Sequence, residues 1–201
     1  MVSSFEAFKG HVERVSNQYC TMKNDLPVNH LIVHMDFAEN YSCQIMEEIQ
    51  SAFWTTKMVT LHPVVLHYCH SNGSVELKSI VFVSDVMQHN TSMVHAIITR
   101  LMGVINEVCP SASNVHFWTD SPTSQYRNKT IFDLISRFKT AFGLLASWHY
   151  FEVGHGKGAC VGVGGTAKRN ADMAVKLGTV VIQDAPDFFA WAVSEQNTVY
   201  F

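Results

Sequence analysis

Phe5, Phe8, Val12, Val15 and Tyr19 recur at helical spacing, which predicts an amphipathic helix over residues 4–20. A polar stretch ending in Leu26-Pro27 stops it. The apolar run Leu31 to Phe37 predicts a short buried strand. Residues 57–69, KMVTLHPVVLHYC, are rich in β-branched and aromatic side chains and predict a second strand, broken or bulged at Pro63. Ser71-Asn72-Gly73 signals a turn, and residues 75–84 return as a third strand, so the two form a hairpin.

Periodicity then changes from two to helical. Asn90-Thr91 is a helix cap, and residues 92–108 carry apolar positions at helical period. Val115 to Thr119 predicts a strand, 129–142 a helix and Trp148 to Val153 another strand. A glycine cluster follows, then a helix over about 165–177, a short extended piece at Thr179 to Ile182 and a last helix at 186–195. Pro186 suits the first turn of that last helix. A three-strand meander followed by alternating helices and strands predicts an α/β domain with one mixed sheet and helices on both faces. One domain spans 1–201, with an N-terminal helix and connector at 1–29, a core at 30–195 and a tail at 196–201.

Composition narrows the classes. The 201 residues are 47% hydrophobic and 15% charged, enough for a core and unlike a disordered segment. Fourteen Lys and Arg against seventeen Asp and Glu give a formal charge of −3, which excludes a strongly basic module but not a local basic groove. No run approaches the ~18 consecutive apolar residues of a membrane span. The N-terminus lacks the basic-then-apolar pattern of a secretory signal. Five cysteines without a CxxC pair suit a reducing compartment, nuclear or cytosolic.

Two acids stand at predicted strand ends. Asp36 follows the first strand in LIVHMDFAENY, and Asp120 follows the fourth in VHFWTDSPTSQYRNK. A strand-end aspartate that caps a loop explains either one alone. If the two strands are neighbours, both carboxylates reach one sheet edge, and convergent acids suit a hard cation such as magnesium. Paired magnesium ions can activate a water and stabilise a leaving oxygen in phosphodiester chemistry. A third acid is normally needed, yet none lies between Glu152 and Asp172.

Other signals are weaker. GVGGTA at 162–167 matches the dinucleotide pattern GxGxxA in letters, but no strand runs directly into it. Glycines that allow close chain approach explain the cluster better. His67, Cys69 and His70 lack the second ligand pair of a structural zinc site. His149 and His155 flank the candidate site, and packing explains them equally well. Arg127, Lys129, Lys157, Lys168 and Arg169 cluster in sequence near the same predicted edge, with Tyr41, Tyr126 and Trp148 nearby. Cations beside aromatics suit phosphate and base contacts, although a solvated surface has the same composition.

Longer strings carry a resemblance. MDFAENY at 35–41, QSAFW at 50–54, TLHPVV at 60–65, TDSPTSQYRNK at 119–129, WHYFEVGHGKGACVGVGGTAKR at 148–169 and DFFAW at 187–191 stand in order along nearly the whole chain. The element order resembles the ribonuclease H-like fold of retroviral integrases and DDE transposases. The strings resemble a transposon-derived domain of animal proteins still more closely. The resemblance implies that Asp36 and Asp120 are the first two metal-binding acids and that Mg²⁺ or Mn²⁺ is the cofactor of a functional site. The family's third acid falls on Val161, which cannot bind a metal. The segments Ser84-Asp85-Val86 and His89-Asn90-Thr91 also lack acids that the family carries.

Two readings follow. In one, catalysis is impaired, no metal is needed, and the scaffold keeps a nucleic-acid or protein partner, with Arg127, Lys129, His155, Lys157, Lys168 and Arg169 as the nucleic-acid contacts. In the other, the chain is an active polynucleotidyl transferase or nuclease in which Glu152, Asp85 or Asp172 replaces the third acid. DNA is the first expectation among partners. A protein partner and self-association are further ones, a membrane is not expected, and the location is nuclear or cytoplasmic rather than secreted.

Overall fold

The computed structural model describes residues 2–43, 57–70, 72–152, 158–195 and 199–200. Its elements are α1 (Val2–Asn24), β1 (His30–Met35), β2 (Tyr41–Ser42), β3 (Met58–Cys69), β4 (Val75–Ser84), α2 (Thr91–Val108), β5 (Asn114–Thr119), α3 (Lys129–Phe142), β6 (Leu145–Tyr150), α4 (Ala159–Lys176), α5 (Ala185–Glu195) and β7 (Val199–Tyr200). The strand order is β6-β5-β1-β3-β4-β7, with β2 paired to β3. The pairs β1–β5 and β5–β6 are parallel. Antiparallel approach of the chain after β1 to β3 is fixed by Asp36 N–H donating to Pro63 O (3.3 Å) and Ala38 N–H to Leu61 O (3.0 Å). A tight turn joins β3 to β4, with Gly73 at φ 84° and its N–H on His70 O. This is a mixed α/β architecture: a meander, then parallel strands alternating with helices.

The chain divides into two compact units, each assembled from three pieces of sequence. The first comprises Met1–His34, Leu66–Leu77 and Asn90–Lys157. In it, Val15, Tyr19 and Met22 of α1 pack on Leu26, Ile32, Cys69, Trp118 and Phe151. Period-two alternation sends Phe117 to the other face, where its ring meets Phe138 of α3 at 5.6 Å. Helices therefore cover both faces of these strands. Asn128 starts α3 by accepting from the N–H groups of Thr130 and Ile131, and Gly143, at φ 79°, ends it.

The second unit comprises Met35–Val65, Lys78–His89 and Gly158–Phe201. Its core joins Tyr41, Val59, Leu61 and Val81 to Ala167, Ala171 and Val175 of α4 and to Phe188 and Trp191 of α5. Burial of each large apolar side chain here contributes about 1.5–3 kcal/mol.

Two expectations need correction. The glycine cluster is not a loop before a helix at 165: α4 begins at Ala159 and contains Gly162, Gly164 and Gly165. Small residues recur along it at Cys160, Gly164, Ala167 and Ala171, and a Cβ at Gly164 would lie 3.1 Å from Ala38 Cβ. Close packing thus outweighs glycine's poor helix propensity. The same placement removes the phosphate-binding turn that the dinucleotide pattern requires. Strand β3 also runs unbroken through Pro63, whose carbonyl is the only ladder group proline can offer and is used by Asp36. The short extended piece expected at 179–182 follows the end of α4. Gly178 at φ 69° donates to Val175 O and Thr179 to Ala174 O, so these two residues close the end of α4 in a Schellman arrangement.

Strand β6 is also displaced, from the expected 148–153 to Leu145–Tyr150, because its register on β5 pairs Asn114 with Leu145 and Thr119 with Tyr150.

Candidate functional site

In the first unit, Asp120 follows β5 directly. Its Oδ1 is buried and meets no hydrogen-bond partner among the described residues. Burial pushes its carboxyl pKa above the usual carboxylate value. The loop behind it is tightly held. Pro122 O accepts from the N–H groups of Gln125, Tyr126 and Arg127. The Asn128 amide donates to Thr91 Oγ1 (2.7 Å), Thr123 O (2.9 Å) and Gln125 O (3.3 Å). Tyr150 OH donates to the carbonyl of the fully buried Tyr126 (2.9 Å).

This clamp presents Arg127, which is exposed and lies 5.7 Å from the centre of the Tyr150 ring. Burial raises the Tyr150 phenol to about 12, partly countered by Arg127. Lys129 is exposed at the start of α3. Glu152 accepts from His11 Nε2 of α1 at 2.8 Å, which engages that carboxylate within the unit. His155 and Lys157 lie outside the described residues.

In the second unit, Asp36 is half-buried after β1, and Asp85 is exposed after β4. Cys160, in the first turn of α4, is fully buried, and its thiol pKa is pushed up first by burial and then by the charge of Asp36. Val161 is the next residue. It is 52% exposed and sits on the helix rather than in a loop. The position that the resemblance assigns to the third acid is thus occupied by an outward-facing apolar side chain on the helix that reaches Asp36.

Lys168 donates to Glu39 O (3.2 Å) and pairs with the Glu39 carboxylate (3.7 Å). Arg169 donates to Thr166 Oγ1 (3.0 Å). Both line an open cleft of about 370 Å³ with Asn40, Tyr41, Ser42, Gly165 and Asp172. Asp172 lies well inside α4 and faces Tyr41; burial first, and then this carboxylate, raise the Tyr41 phenol pKa.

Strands β1 and β5 are parallel neighbours, in register to His34 opposite Trp118. Asp120 follows two positions after Trp118. Sequence reasoning overlooked Asn128 and Thr91 as the clamp behind the Asp120 loop. An asparagine immediately before an apolar-periodic run was the available signal. It also overlooked the Tyr41–Asp172 side of the cleft, which no local pattern marks. Among the described residues no group of three or more His, Cys, Asp or Glu is gathered as a metal cage, and no helix is long and apolar enough to cross a membrane.

The meander followed by two parallel strands, in the order β6-β5-β1-β3-β4, is a mixed α/β sheet. Residues 16–201 match the family described as "Domain of unknown function (DUF8701)", and the chain belongs to that family. None of the curated proteins matches it. Among solved structures it is similar to LC9-RNase H1, described as a type 1 RNase H with the type 2 active-site motif. That similarity has a TM-score of 0.41 and 16% sequence identity, covering 84% of this chain and 82% of that one.

Proposed function

We propose that the chain is a transposase-derived ribonuclease H-like domain that binds nucleic acid, DNA foremost, and whose metal-dependent chemistry is impaired. The observation that carries this reading is Val161, 52% exposed in the first turn of α4, where the resemblance implies a carboxylate. Asp36 and Asp120 are the acids available to Mg²⁺ or Mn²⁺. The buried, unpartnered Oδ1 of Asp120 suits a hard cation, but two acids leave much of a metal pair's charge uncompensated. When bound, such ions supply a polarised water and charge stabilisation for phosphodiester cleavage. Loss of one ligand removes much of that stabilisation.

Glu152 is a poor substitute because His11 already holds it. Arg127 on its clamped loop and Lys168 and Arg169 along the cleft supply the phosphate contacts. A nuclear or cytoplasmic location accords with this reading, as do five cysteines that are all free thiols.

The test is fluorescence anisotropy with labelled duplex and single-stranded DNA over a salt series, alongside a cleavage assay in Mg²⁺. The expected result is salt-dependent binding without cleavage. The log–log salt slope should fall by about one in Arg127→Ala and in Lys168→Ala. Mg²⁺-dependent cleavage abolished by Asp36→Asn would overturn the impairment. Absence of salt-dependent binding to either DNA or RNA would overturn the nucleic-acid reading.

A further inference from the structure

Strand β6 stands at one end of the strand order, and among the described residues no strand lies on its outer side. No residue of Leu145–Tyr150 is fully buried, whereas β5 beside it buries Val115, Phe117, Trp118 and Thr119. The ladder to β5 fixes which backbone groups of β6 face outward. Leu145 N–H donates to Ser113 O and Phe151 N–H to Thr119 O. Alternation therefore turns the backbone groups of Leu145, Ser147, His149 and Phe151 toward β5 and those of Ala146, Trp148 and Tyr150 away from it.

Exposed strand edges are ordinarily blunted by lysine, other charges, proline or a bulge. LASWHY at 145–150 contains no Lys, Arg, Asp, Glu or Pro, and it pairs with β5 residue for residue without a bulge. By contrast, β4, toward the other end of the order, carries Glu76 and Lys78 and is partly covered by β7. The side chains of β6 also leave its edge open by leaning back over β5. The Trp148 ring stacks on Phe117 with centroids 4.8 Å apart, and its Nε1–H donates to Thr119 Oγ1 (2.9 Å). The His149 ring stacks on Trp118, with centroids 4.7 Å apart.

We propose that this edge is a dimer interface, in which β6 pairs antiparallel with β6 of a second copy of the chain about a two-fold axis at Trp148. A two-fold axis relates side-by-side strands only in antiparallel fashion, and outward residues must meet outward residues. Centring on Trp148 is the register that uses every outward residue: Ala146 faces Tyr150 of the second copy, Trp148 faces Trp148, and Tyr150 faces Ala146. Each such pair exchanges two N–H···O bonds, and sliding the strands either way leaves some of these groups without a mate. The same register matches sizes across the axis. On one face the Ala146 methyl meets the Tyr150 ring, and the two Trp148 rings do not crowd the axis because each leans over its own β5. On the other face Ser147 meets His149, and Leu145, 51% exposed, meets Phe151. No like charges oppose one another, since burial holds the His149 pKa below its ordinary value and the ring enters neutral. This self-complementarity selects a second copy over a foreign peptide. A strand edge of this length lies at the small end of interface sizes, so association belongs to the micromolar range. The interface does not rest on the nucleic-acid reading or on the acids.

The experiment is sedimentation velocity of the full chain, free of nucleic acid, across micromolar concentrations, together with amide hydrogen exchange followed by NMR. A monomer–dimer equilibrium is expected, with the amides of Ala146, Trp148 and Tyr150 gaining protection as concentration rises. Ala146→Pro removes an outward N–H that no ladder bond within the chain uses. It should weaken the dimer roughly tenfold or more, because symmetry removes the bond twice, and should leave the melting temperature of the monomer near the native value. Ala146→Glu fills the space that the second copy's Tyr150 ring requires and should act likewise without a proline. A native chain that stays monomeric throughout overturns the proposal. So does a dimer of native strength in folded Ala146→Pro or Ala146→Glu, which would place the contact on another face. Protection of the three amides that is absent, or that does not change with concentration, also overturns it, the latter because a segment of the same chain would then cover the edge.

Discussion

Replacing Val161 by aspartate puts a carboxylate at the first turn of α4, beside Cys160, whose thiol responds to the charge of Asp36. The fold should tolerate the change. Val161 is 52% exposed, so removing its side chain forfeits less than about 1 kcal/mol of apolar burial. Valine and aspartate have similar helix propensities. A carboxylate near a helix N-terminus gains about 0.3–1 kcal/mol from the aligned peptide dipoles. These contributions nearly cancel, and apo stability should change by less than about 0.5 kcal/mol.

Mg²⁺ or Mn²⁺ should then stabilise Val161→Asp but not the native chain. At a metal concentration a hundred times the dissociation constant, the gain is about 2.7 kcal/mol. For a chain of this size that raises the melting temperature by roughly 5–11 °C. The assay is thermal unfolding with and without metal, repeated in Val161→Asp combined with Asp36→Asn, which should lose the shift. Equal metal stabilisation of native and substituted chains would refute the claim that position 161 is the missing ligand. No shift in either would show that Asp36 and Asp120 do not constitute the site.

Asp120 makes a pH prediction. Its carboxyl pKa is raised by burial, so the folded chain binds that proton more tightly than the unfolded chain. Its contribution to stability therefore declines as pH rises from the ordinary carboxylate value through the raised one, and neutral pH carries the whole penalty. Asp120→Asn should stabilise the metal-free chain by about 1 kcal/mol at pH 7 and remove that slope, as read by urea unfolding at several pH values. Asn128→Ala removes a helix cap and the three amide bonds that clamp the 121–127 loop, and should cost about 2–3 kcal/mol in the same assay. Because that loop presents Arg127, the variant should also weaken DNA binding at low salt more than the exposed His95→Ala does.

Local chemistry made much of this architecture legible before any coordinates. The bounds of β4 and α3 follow from period-two and helical-period patterns, and the start of α2 from Asn90, whose side chain accepts from Met93 N–H. These elements carry their instructions within a few residues, as alternation, capping groups and a left-handed glycine. The acids at the ends of β1 and β5, and the valine at 161, are likewise facts of the chain.

Tertiary packing decided the rest. Residues 159–164 have a glycine-rich, loop-like composition and become helix because Gly164 fits against Ala38, which lies far away in sequence. Pro63 stays within a strand because the chain after β1 needs its carbonyl. The register of β6 is set by β5, and only that register places Ser147 between two histidines. Glu152 reads as a free carboxylate until α1 brings His11 to it. In each case the deciding partner lies dozens of residues away or more. Hydrogen bonds and close packing across such distances leave no periodic trace in the segment they reshape, so propensity alone points elsewhere.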